Sequence, residues 1–115
     1  RVIAEGWAMQ RLRFDPVKET MLMQNYPNPF NPETWIPYQL KEDAGVVISI
    51  YTVTGQLVRT LDLGHKQAGY YIDSEKAAYW DGRNGAGEPV ASGIYFYTMQ
   101  VGKFTTIMRK MAIAR

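Results

Sequence analysis

His65 is the only histidine in this chain of 115 residues, and there is no cysteine. In "LGHKQAG" that imidazole has neither a second metal ligand nor a nucleophile to serve as base. Ser49, Ser74 and Ser92 stand in no Gly-x-Ser-x-Gly elbow. "DGRNGAG", Asp81 to Gly87, invites two chemical readings. As a calcium loop it offers Asp81, Asn84 and Glu88, but Arg83 stands where an EF-hand places an oxygen ligand. As a phosphate cradle it lacks both the Lys-Ser/Thr pair and the helix that should follow. The residues favour a structural turn behind Trp80: Gly82, Gly85 and Gly87 permit positive φ, while Asp81 and Asn84 bond turn amides. No catalytic residue, metal ligand or cofactor is assigned.

Aromatic side chains are the other chemical resource. Trp35, Trp80, Tyr70, Tyr71 and Tyr79 are candidates for a sugar-stacking platform. Trp80 ends an apolar strand where a core residue belongs. Parity sets Trp35 opposite Ile36 and Tyr38, which makes Trp35 the candidate exposed aromatic.

These residues need a scaffold, and the scaffold reads as all-β. In "WIPYQL", Ile36, Tyr38 and Leu40 share one face, and Pro37 marks an edge strand or a bulge. "GVVISIYTV" puts Val46, Ile48 and Ile50 on one face. Thr54-Gly55 turns the chain into "QLVRTLDL". Gly64 and Gly69 bracket a loop before "YYID" and "KAAYW". In "GIYFYTMQV", Tyr95, Tyr97, Met99 and Val101 alternate with Ile94, Phe96, Thr98 and Gln100, and Gly102-Lys103 leads into the last strand, "FTTIMRKMAIA". The expectation is an antiparallel sandwich of about seven strands over residues 20–115, without helices.

Residues 1–19 read as the end of an upstream domain or linker. Ile3, Trp7 and Phe14 fit a helical stripe, and Leu12 with Phe14 fits a short strand equally well; Asp15-Pro16 marks the boundary. With Arg1 in place of an initiator Met and no signal-peptide pattern, the stretch is expected to be the tail of something larger. A formal charge of +2 and scattered cations give no footprint for nucleic acid. No apolar run approaches the ~18 residues of a membrane span.

"NYPNPFNPETWIPYQL", "VISIYTVTGQLVRTL", "AGYY", "YWDGRNGAGEPVASGIYFYTMQ" and "RKMAIAR" stand in this order from about Met23 to Arg115. Together they closely resemble the type A C-terminal sorting domain of type IX (Por) secretion cargo. "WDG" with its glycine-rich turn also occurs in the Ig-like domain of flagellar hook-capping proteins. The resemblance implies a non-catalytic Ig-like sandwich that addresses a passenger protein. An outer-membrane translocon would recognise it, and a sortase-like peptidase would remove it or exchange it for a surface anchor. The passenger would cross the periplasm of a Gram-negative-type bacterium and end at the cell surface or outside. The resemblance places recognition in the terminal segment: Met108, Arg109, Lys110, Met111, Ala112, Ile113, Ala114 and Arg115. It places the cut between Asp15 and Gln24. Two departures from the family pattern stand out: residues 1–19 match no motif, and Trp35 and Pro37 replace a threonine and a polar or basic residue.

The asparagine–proline loop has its own physics. Pro27, Pro29 and Pro32 restrict φ, Asn25, Asn28 and Asn31 are available to bond nearby amides, and Tyr26 and Phe30 are expected to turn inward and pin the loop. That makes either a rigid start to a removable module or a plain closure of one sandwich end. In the last strand, Arg109-Lys110 is either edge protection or a feature read by strand addition or charge. Two other functions stay open: a structural Ig-like module of a surface or hook-type assembly, and a carbohydrate-binding module of a secreted hydrolase.

Overall fold

The computed structural model describes residues 16–106 and 108–115. The residues of the helix-or-strand reading, Ile3 to Phe14, lie outside the described residues, as does Ile107 of the expected last strand. Ten strand segments make up the described part: β1 Met21–Leu22, β2 Thr34–Ile36, β3 Tyr38–Leu40, β4 Ala44–Thr52, β5 Leu57–Lys66, β6 Gly69–Tyr71, β7 Ala78–Trp80, β8 Gly93–Val101, β9 Phe104–Thr105 and β10 Arg109–Ile113. The fold is all-β, and all strand pairing is antiparallel.

One layer has the order β10-β8-β4-β5, with β9 also paired to β8. The other layer consists of β1-β3-β6 and β2-β7. β2 and β3 are one run of chain broken at Pro37, which is buried and accepts the Met23 amide at its carbonyl, 3.0 Å away. Proline has no donor for a ladder, so the run changes partners there, from β7 to β1 and β6. β3 therefore lies between β1 and β6 and is no edge strand, while β2 pairs with β7 and, on its other side, makes only an isolated bridge from Trp35 to Tyr26. This break, and the short β1 and β9, account for ten segments where alternation outlines about seven.

Alternation builds the core. Val46, Ile48 and Ile50 from β4, Tyr97 and Met99 from β8, and Ile36, Tyr38 and Leu40 from the opposite layer are completely buried. Trp80 closes one end and meets Phe30 at 5.6 Å between ring centroids and Tyr95 at 6.2 Å. Burying a side chain of this size contributes roughly 1.5–3 kcal/mol, so these two layers carry the stability.

β5 departs from expectation. The glycine at 64 does not open a loop; the strand continues to Lys66, and His65 pairs with Gly45. A register shift between Val46, which pairs with Gly64, and Val47, which pairs with Asp62, leaves Leu63 as the extra residue, and the φ of 76° at Gly64 suits this bulge. His65 is thus a strand residue, not a turn residue.

Candidate functional site

The asparagine–proline loop connects β1 to β2 and is held by a buried polar node. Asn25 is 2% exposed and donates through Nδ2 to Thr34 Oγ1 at 3.0 Å and to the Pro27 carbonyl at 3.2 Å. Its backbone amide donates to the Tyr97 hydroxyl at 2.9 Å, which in turn donates to the Met23 carbonyl at 2.7 Å. Burial pushes the Tyr97 hydroxyl up to about 12. The Tyr26–Pro27, Asn28–Pro29 and Asn31–Pro32 peptide bonds are cis. Phe30 turns inward as expected. Tyr26 does not: it lies on the surface near Trp35, and its hydroxyl donates to the Ile72 carbonyl at 2.6 Å.

Beside this loop runs β10, the outermost strand of its sheet. Met111 and Ile113 are buried, while Met108, Lys110, Ala114 and Arg115 are exposed and Arg109 and Ala112 lie between. Two buried apolar side chains hold the strand with roughly 3–6 kcal/mol, whereas an exposed cation contributes little. Arg109 is tied down too, donating from Nε to the Leu22 carbonyl at 2.7 Å. The outer side of β10 is covered by the loop. Gln24 Nε2 donates to the Lys110 carbonyl at 2.8 Å, and Asn28 Oδ1 accepts the Ala112 amide at 2.9 Å. Phe30 gives its amide to the Ala112 carbonyl and accepts the Ala114 amide, both at 3.0 Å, in a parallel bridge with Ile113.

A third motif meets these two. Asp81 Oδ1 accepts the Arg83 amide and Arg59 Nη1, each at 3.0 Å, and Asn84 Oδ1 accepts the amides of Ala86 and Glu88. Trp80 Nε1 donates to the Arg83 carbonyl at 2.9 Å. Asn84 Oδ1 therefore serves the turn itself, and Asp81 Oδ1 serves both the turn and Arg59 of β5. Arg115 reaches into it, giving Nε to the Val90 carbonyl and Nη2 to the Gly82 carbonyl at 2.7 and 2.9 Å. Gly82 has φ of 75°, and a Cβ there would collide with the Pro32 carbonyl and stand 2.9 Å from Arg115 Nη2. Only glycine lets the loop, the turn and the chain end close on one another.

A family profile described as the FlgD Ig-like domain matches residues 32–103. The chain belongs to this family. No curated protein matches it. Among solved structures, it is similar to dimeric latent PorU from Porphyromonas gingivalis, with a TM-score of 0.64 and 24% identity over 83% of this chain and 9% of that one. It is also similar to PorZ, described as an essential bacterial surface component of the type-IX secretion system of Porphyromonas gingivalis, with a TM-score of 0.51 and 21% identity. That second likeness covers 92% of this chain and 12% of PorZ. The chain therefore spans about a tenth of either protein, and the likeness concerns the fold.

In this FlgD Ig-like domain, the profile match omits residues 25–31 and all of β10, so the loop-and-edge arrangement is additional to the matched sandwich. Trp35 is partly exposed on the outer face of β2. It stands between Tyr26, 6.3 Å away at 24°, and Tyr79, 5.7 Å away at 54°. Tyr79 donates its hydroxyl to Glu33 at 2.7 Å, a bond that raises its pKa. Sequence parity located Trp35 on that outer face but gave no sign of its neighbours. Nor did it flag Gln24 or the role of Gly82, because no local spacing signals contacts such as Gln24 with Lys110 or Gly82 with Pro32 and Arg115, which are 33 or more residues apart.

Proposed function

We propose that residues 20–115, preceded by a passenger or linker, form a non-catalytic sorting domain that directs the passenger across the outer membrane by type IX secretion. One observation carries the reading: the terminal segment Met108–Arg115 contains β10, the outermost strand of its sheet, and is joined there to the two other motifs of the resemblance. The shared fold with PorZ, itself a type-IX component, supports it. The partners are an outer-membrane translocon, a sortase-like peptidase and the upstream passenger. The route runs through the periplasm to the cell surface or beyond it.

The removable-tag version needs a cut ahead of the folded part. Val17 is 8% exposed, Gln39 donates to the Glu19 carbonyl, and the Lys41 amide donates to Thr20 Oγ1. Residues 17–24 are therefore held by the sandwich, and the proposed cut moves upstream of Val17. Family membership supports a second reading, a structural Ig-like module of a surface or hook-type assembly.

A fusion of a signal peptide, a reporter and the chain tests the choice in a type IX-competent cell. The reporter is expected outside the cell, and deleting Arg109 to Arg115 is expected to leave it in the periplasm. Export that survives the deletion refutes the role of the terminal strand. A reporter retained with the intact chain favours the structural module.

A further inference from the structure

The edge of the larger sheet is closed along one half and open along the other. β4 takes one flank of β8, so β9 and β10 follow each other along the opposite flank as one interrupted edge strand. Over β10 the asparagine–proline loop stands where a further strand would stand. It is an incomplete substitute: Phe30 alone makes a two-bond backbone pair, whereas the side chains of Gln24 and Asn28 serve Lys110 and Ala112. Pro27 and Pro29 have no amide to offer a ladder.

The bonds of the loop do not extend to Phe104 or Met108, which are 63% and 52% exposed. With Met21, Leu22 and Arg109 they wall a groove of about 520 Å³ between β1 and the edge strand. A strand edge continuous with an apolar groove suits an extended peptide, which bonds through its backbone and seats every second side chain in the groove. The adjoining half of the same edge already holds backbone in a ladder-type pair, so the surface fits a strand.

We propose that this edge accepts an extended β-strand of a partner protein. The strand engages the open groove at Phe104 and Met108 and advances along β10 by displacing Gln24 and Asn28 from Lys110 and Ala112. This rests on the sorting reading for the identity of the partner, and on the edge geometry alone for the mode of contact. The loop then blocks casual pairing of the edge while remaining replaceable by a better-bonded strand.

Amide exchange on the full chain tests the gate. Ala112 faces the loop and Met111 faces β8, so Ala112 is expected to exchange about five- to tenfold faster, and faster again in Asn28→Ala with Met111 unchanged. One common rate for both amides in both proteins would overturn the proposal, because loop and strand would then open as a unit. A synthetic copy of residues 93–101, which already pairs with the inner side of β10, serves as the strand probe. It is expected to slow Ala112 exchange in Asn28→Ala at least about fivefold, and not in Asn28→Ala carrying Phe104→Glu and Met108→Glu. Absence of protection in Asn28→Ala overturns the proposal. In the reporter assay, Phe104→Glu with Met108→Glu is expected to reduce export at least about tenfold, with Met111 exchange reporting that the fold is intact. If the native fusion and this variant are exported equally, the strand-entry proposal fails and the sorting reading stands. If the native fusion is not exported, the sorting reading fails, and the probe experiment decides the edge proposal by itself.

Discussion

Tyr38 and Tyr97 are both completely buried, yet their hydroxyls fare differently. Tyr97 sits between the Asn25 amide and the Met23 carbonyl, whereas Tyr38 Oη has no hydrogen-bond partner among the described residues. An unpaired buried hydroxyl costs about 1–3 kcal/mol. Tyr38→Phe is therefore expected to leave stability unchanged or raise it by up to about 1 kcal/mol in urea unfolding, and Tyr97→Phe to lower it by about 1–3 kcal/mol. Both hydroxyls are pushed up to about 12, by burial first and, for Tyr38, by the neighbouring Tyr71 second. The unfolded chain ionises near 10, so the native state holds these protons more tightly. Their contribution is complete below about pH 10 and is lost as pH rises toward about 12, at about 1.4 kcal/mol per pH unit for each tyrosine. Urea midpoints measured across that range are expected to fall, and to fall less steeply in Tyr38→Phe. Parity in "WIPYQL" put Tyr38 on the face opposite Trp35, and in "IYFYTMQ" it set Tyr97 on one face with Tyr95 and Met99 without saying which face is inward. It could not say which hydroxyl finds a partner, because the partners of Tyr97 come from a loop more than 70 residues away.

Among elements, strands with regular alternation were legible and their interruptions were not. β4, β8 and the inward face of β3 follow directly from period-two patterning. Two punctuation marks misled in opposite ways. Gly64 reads as a loop but sits in a bulge within β5, because the neighbouring strand β4 keeps pairing past it. Pro37 reads as an edge strand or a bulge and marks instead a break between β2 and β3, where the chain exchanges partners. The joint between loop, turn and β10 belongs to this scale as well. Gly82→Ala forces a Cβ into the left-handed region, at about 1–2 kcal/mol, and into the Pro32 carbonyl. It is expected to destabilise by more than about 2 kcal/mol in urea unfolding, with exchange at Ala112 and Ala114 rising before that of β4. Were the loss below 0.5 kcal/mol, roughly that of an ordinary surface change, the joint would not be a point of closure.

For the whole molecule, the sandwich was readable from pattern, whereas the proposed sorting role rests on resemblance; no length, charge or motif specifies a translocon. Where the folded unit begins is a matter of burial, and Val17 and Leu22 place it ahead of the loop. Relative to a chain beginning at Pro16, one beginning at Met23 is expected to lose about 3–5 kcal/mol, as calorimetry would record. The pairing of Asn28 with Ala112 spans 84 residues, and so ties the opening stretch of the domain to its closing one. A polypeptide drawn through a narrow channel from either direction delivers these two stretches at opposite times. Until both have emerged, the outer flank of the sheet lacks either its edge strand or its cover. Closure of that flank therefore waits for the last residues of the domain whenever the chain becomes available from one end.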